Sequence, residues 1–143
     1  MKSNMVLQLA EKIVQTLNDS NFALSFTAVK TLFPFYELKD LSTLRVTVVP
    51  KSVNITNASR SSNEFDYQVD IAIQKAIKSP DDAEVATLTE LVLAIAKSFR
   101  NKIYQDIGAV CFKQSIDPLY SVEHIQPPSV FTSVVTLNFK VIE

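Results

Sequence analysis

The sequence predicts an α+β fold, an α/β two-layer arrangement. A mostly antiparallel sheet carries helices on one face, in the order α-β-β-β-α-β-β. Three observations lead there. Helical periodicity occurs at two separate points, and long stretches alternate with period two. The 143 residues contain no internal repeat and no low-complexity stretch, so residues 1–143 read as a single domain, long enough to bury about two-thirds of its unfolded surface.

Residues 4–18 form the first predicted helix. Val6, Leu9, Ala10, Ile13 and Leu17 fall on one face, Ser3 or Asn4 can cap the start, and Asn18-Asp19-Ser20 can end it. Residues 22–32 alternate Phe22, Leu24, Phe26 and Ala28 against smaller neighbours, which reads as a strand ended by Pro34. Residues 35–42 are a connection. Residues 44–49 (LRVTVV) are the second strand, with Leu44, Val46 and Val48 toward the core, Arg45 and Thr47 opposite, and Pro50 as its stop.

Residues 51–63 (KSVNITNASRSSN) are polar, with Val53 and Ile55 the only large apolar side chains. This stretch is expected to be a loop or a projecting two-stranded arm. Residues 64–74 carry the cleanest alternation. Phe65, Tyr67, Val69, Ile71 and Ile73 define one face, and Glu64, Asp66, Asp70 and Gln74 lie on the other. Ser79-Pro80-Asp81-Asp82 then opens a helix running to about residue 104, whose buried stripe is Val85, Leu88, Val92, Ile95, Phe99 and Ile103. Gly108 is a loop glycine after that helix. Residues 109–116 are a strand, 117–129 a loop with Pro118, Pro127 and Pro128, and 130–142 the last strand.

The composition excludes several function classes. Average usage would give about 10 glycines at this length, whereas this chain has 1, together with 1 Cys, 1 His and no Trp. One glycine builds neither a phosphate-cradling loop nor a nucleophile elbow, because both need backbone without Cβ. One Cys and one His do not make a structural zinc site, and no intramolecular disulfide can form. Net charge is −1 with no basic block, so no sequence-specific nucleic-acid binding is expected. No stretch approaches the ~20 apolar residues of a membrane span, and the start does not read as a signal peptide. A soluble, intracellular protein is expected.

Three constellations bear on chemistry. Glu64, Asp66 and Asp70 share a strand face, with carboxylates two residues apart separated by about 7 Å, close enough to share a hydrated cation or act as an acid/base pair. The ordinary reading is a sheet surface balanced by Arg45 and Lys140. Ser121, His124 and Asp117 lie within eight positions of one loop, without an oxyanion turn, so loop residues are expected rather than a triad. Cys111, in the apolar run Ala109–Phe112, reads as a small core hydrophobe. No catalytic, metal-binding or cofactor-binding residue is assigned. Arg60 in a Ser/Thr-rich stretch is weak support for a phosphate site, and an arm that orders against a partner fits the composition better.

The strand blocks themselves resemble a family. LRVTVVPKSVNIT (44–56), FDYQVDIAIQK (65–75), IDPLYSVEHI (116–125) and FTSVVTLNFKV (131–141) resemble the tail-completion or tail-terminator proteins of tailed bacteriophages and prophages, across about residues 5–142. The Asp117-Pro118-Leu119-Tyr120 loop is the most distinctive part. The resemblance implies a non-enzymatic virion protein of the tail or neck, assembled in the host cytoplasm. It would form a homo-oligomeric ring, usually a hexamer, that caps the tail tube, stops its polymerisation and meets a neck or connector protein. A head–tail connector or head-closure protein is the alternative, and a small metal-dependent hydrolase is a third. A ring uses two different patches on each subunit. Composition places one at Asn57, Ser59 and Arg60 in the arm, and the other at Tyr120, His124 and Phe131.

Overall fold

The computed structural model describes residues 5–22, 24, 26–31, 44–57, 59–77, 82–117, 119–120 and 130–142. Helix α1 spans Met5–Asp19, and α2 spans Asp82–Ser98. The strands are β1 (Ala28–Lys30), β2 (Arg45–Asn57), β3 (Asn63–Ala76), β4 (Ile103–Tyr104), β5 (Ala109–Ile116) and β6 (Val130–Ile142). Among the described residues they form one mixed sheet of six strands in the order β1-β2-β3-β6-β5-β4. Strand β1 lies parallel to β2, and the other neighbours are antiparallel.

The core follows the alternation. Cross-strand rows Val48–Ile71–Val135 and Pro50–Val69–Leu137 run across one sheet face. Leu9, Ala10, Ile13 and Leu17 of α1 join the same apolar cluster, as do Leu88, Leu91, Val92, Ile95 and Ala96 of α2 and Phe99 just beyond it. Burying these side chains is the main favourable term in folding. The other face is not uniformly wet, because Thr47, Ala72, Gln74 and Thr132 are buried there as well.

Four expectations need correction. The first strand is only Ala28–Lys30. Phe22 and Phe26 do not alternate along a strand: their rings stack at 5.7 Å, and both side chains pack on the core. Asn18 takes the place of a neighbouring strand for Ala28, accepting its N–H at 2.7 Å and donating to its carbonyl at 3.2 Å.

Pro50 does not stop the second strand. Strand β2 continues to Asn57 through a register shift between Pro50 and Ser52. Residues 51–57 are therefore the two-stranded form of the polar stretch, paired with β3. Strand β3 is itself backed by β6 as far as Glu64–Ile142. A bulge tolerates proline because the ladder is already interrupted there.

The second helix ends at Ser98, not near residue 104. Asn101 adopts φ 55°, the left-handed conformation that terminates helices, and the chain then enters β4. Ile103, expected in the buried stripe, is 53% exposed on this extra strand. The caps expected at Ser79, Pro80 and Asp81 lie outside the described residues.

Gly108 belongs to the four-residue turn joining β4 to β5. Its φ is +66°, and the turn is closed by the Ile107 N–H to Tyr104 carbonyl bond at 3.2 Å.

Candidate assembly surface

The β2–β3 hairpin gathers three of the residues expected at an interface. Asn57 pairs in register with Asn63 at the last rung. The turn beyond it is held by Ser59, whose N–H donates to the Ser62 carbonyl at 3.2 Å and whose hydroxyl lies 2.7 Å from the Ser62 hydroxyl. Arg60 sits exposed in that turn. Every residue from Lys51 to Asn57 is exposed, so both faces of this half of β2 meet solvent. Val53 and Ile55 continue the core-side rows of Tyr67 and Phe65, yet Ile55 is 60% exposed.

The second expected patch is not gathered in this way. Tyr120 is 40% exposed and follows β5, beyond the end that lies level with Val48. It is therefore at the opposite end of the strands from Arg60. His124, together with Ser121 of the loop set, lies outside the described residues. Phe131 is fully buried on the core face, where it pairs with Lys75 in register, so its ring is not on the exposed surface of the chain.

Phe112 was not singled out by the sequence. It is the extra residue of a β5 bulge between Cys111 and Lys113, and it is 45% exposed. The Lys140 ammonium stands 4.9 Å from its ring centroid. Alternation from the buried Cys111 puts Phe112 on the outer face, and the bulge changes the phase only of the residues that follow it.

The acidic strand face is tied to its neighbours. Glu64 pairs with Lys140 at 3.7 Å. Asp66 accepts from the Asn138 amide at 3.1 Å, and Asp70 accepts from the Thr136 hydroxyl at 2.7 Å. Lys140 is the balancing cation expected from sequence, whereas Arg45 lies in register with Gln74. Among the described residues no group of three or more His, Cys, Asp or Glu is placed to hold a metal ion.

Cys111 is buried and accepts from the Gln114 side-chain amide at 3.3 Å. Burial pushes its thiol pKa up, away from the thiolate that nucleophilic chemistry needs. An open groove between α1 and the β4–β5 turn is crossed by the Lys12–Asp106 ion pair. The hydrogen bond from Lys12 lowers the Asp106 pKa. No helix among the described residues is long and apolar enough to cross a membrane.

A chain from the virion of the native gene transfer agent particle superposes with a TM-score of 0.57. The two chains share a fold. The likeness covers 99% of this chain and 100% of that one, at 14% sequence identity. No protein-family model and no curated protein matches the sequence.

Proposed function

We infer that this chain is a structural protein of a phage or phage-like virion, and that it acts as a ring capping the tail tube. In that role it ends tube polymerisation and offers the surface that joins the neck. The observation that carries the reading is the end-to-end likeness to a chain of a gene transfer agent virion. The strand blocks add the tail-terminator character.

In this reading the partners are further copies of the chain, a tail-tube protein below and a neck or connector protein above. The exposed hairpin with Asn57, Ser59 and Arg60 supplies one subunit contact, and the Tyr120 region, with the His124 loop, supplies another. A heterologous contact of this kind repeats around a closed ring.

Electron microscopy of particles made without this chain tests the role. Abnormally long tails are expected. Tails of normal length that fail to join heads would overturn tail termination in favour of a neck connector or head-closure protein.

A further inference from the structure

We propose that neighbouring copies in the ring join by β-sheet extension, the open edge of β2 in one copy pairing antiparallel with the open edge of β5 in the next. This rests on the ring reading above and specifies its contact.

The backbone identifies which groups are available. The Thr31 N–H donates to the Val48 carbonyl, so Val48 points its backbone toward β1. Backbone direction alternates along a strand, and the shift between Pro50 and Ser52 resets it. With Ser52, Asn54 and Thr56 turned toward β3, Val53, Ile55 and Asn57 direct their N–H and C=O groups to the outer edge. Strand β1 covers only Val46–Val48 of that edge. Among the described residues nothing pairs with the remainder.

The far side of the sheet has the matching gap. The Cys111 N–H donates to the Lys102 carbonyl, so Cys111 points its backbone toward β4. After the bulge, Lys113 and Ser115 turn toward β6, and Gln114 and Ile116 turn outward. Strand β4 covers only Ala109 and Val110 in register. Among the described residues each edge is thus covered at one end by a short strand and unpaired beyond it, over residues 49–57 in β2 and 112–116 in β5.

The two gaps agree in two independent respects. Strands β2 and β5 run in opposite directions, so a sheet that continues from one copy to the next pairs them antiparallel. The outward-pointing residues are Val53 and Ile55 on one edge and Gln114 and Ile116 on the other. All four side chains lie on the core-side rows of their own sheet, through Tyr67, Phe65, Leu137 and Val135 respectively. Pairing Val53 with Ile116 and Ile55 with Gln114 therefore continues one apolar face without inverting it. The unpaired backbone groups select an extended strand as occupant, and the chain's own second edge has the required direction and face.

In that register Asn54 and Ser115 of adjacent copies form a non-hydrogen-bonded pair, with Cα atoms about 4.5 Å apart, within disulfide reach. Inside one copy they lie three strand spacings apart sideways, about 14 Å, and are displaced along the strands as well, so they cannot be bridged. The test is the double variant Asn54→Cys, Ser115→Cys, oxidised and run on a non-reducing gel beside each single variant. A covalent ladder beyond dimer is expected from the double variant only. Light scattering of Ile55→Pro is the second measurement. Its lost N–H is on the open edge, so the circular dichroism spectrum should be unchanged while association is lost. If wild type associates, alone or on tail tubes, but no ladder forms and Ile55→Pro associates normally, the edge pairing is overturned and the ring reading stands. If wild type stays monomeric in both settings, both are overturned.

Discussion

The Tyr104 hydroxyl lies 2.6 Å from the Thr16 hydroxyl, joining β4 to α1 across 88 positions of sequence. Both hydroxyls also reach the Lys12 carbonyl, Thr16 at 2.8 Å and Tyr104 at 3.4 Å, so either can donate in the contact between them. The Tyr104 ring also stacks on Phe139 of β6, with centroids 5.7 Å apart. One side chain therefore links the short edge strand, the first helix and the central sheet.

Tyr104→Phe keeps the ring stack and removes the hydroxyl's contacts with Thr16 and the Lys12 carbonyl, and should cost about 1 kcal/mol at neutral pH. Burial pushes the Tyr104 phenol from 10.0 to about 12. The unfolded chain therefore loses this proton first as pH rises. Stability from the neutral phenol is fully present below pH 10 and is lost as pH climbs toward about 12. Phenylalanine has no proton to lose. Urea unfolding should show wild type losing its advantage over Tyr104→Phe across that window, and a constant difference would contradict it.

Phe131 gives a test that separates core from interface. It is fully buried among the core side chains. Phe131→Ala should destabilise the monomer by about 3–5 kcal/mol through lost burial and the cavity left behind. Thermal unfolding of a dilute, unassembled sample checks this. A variant that melts like wild type but fails to assemble would return Phe131 to the interface.

The parts of the fold legible in the sequence are those where one physical demand acts alone. Phe65 to Ile73 alternate because β3 packs one side of its length on a core, and that side is where the structure puts them, although Ala72 and Gln74 on the other face are buried too. Helix α1 was legible for the same reason, with Leu9, Ala10, Ile13 and Leu17 all buried. Failures occurred where two demands competed. Phe22, Leu24 and Phe26 alternate, but their packing is that of an irregular segment whose next strand is held by Asn18. Pro50 carries a stop signal that a bulge overrides. Asn101 is the least conspicuous, since an asparagine near a helix end does not say whether it will take positive φ. In the candidate surface, composition reached the polar turn around Arg60. It missed the β5 edge, because unpaired backbone groups leave no mark on residue type.

The acidic face yields a prediction about cations. Asp66 and Asp70 each accept a hydrogen bond from β6, and Glu64 pairs with Lys140. Calorimetric titration with Mg²⁺, Mn²⁺ or Zn²⁺ should show no binding below about millimolar, because a cation would have to displace these partners. Asp70→Asn keeps an acceptor for Thr136 and should change stability by less than about 1 kcal/mol. Tight binding abolished by Asp66→Asn would restore the metal-site reading.

The single glycine of the chain is placed where its freedom is used. Gly108 has φ +66°, and a Cβ built there meets nothing within 4 Å. Any cost of Gly108→Ala is therefore backbone strain and not a clash. It should be about 1 kcal/mol, the usual penalty for a non-glycine residue in the left-handed region. Asparagine tolerates that region better, as Asn101 does at φ 55°, so Gly108→Asn should lose less than Gly108→Ala. Chemical denaturation of the two variants measures the difference. The turn also sets the β4–β5 pairing of Ile103 with Val110, which covers one end of the open β5 edge. Gly108→Ala should accordingly raise hydrogen exchange at the Cys111 N–H, which bonds to the Lys102 carbonyl, more than at the Asp117 N–H, which bonds to the Val134 carbonyl at the far end of β5. Equal increases at both would show that the strain spreads through the sheet instead of staying in the hairpin.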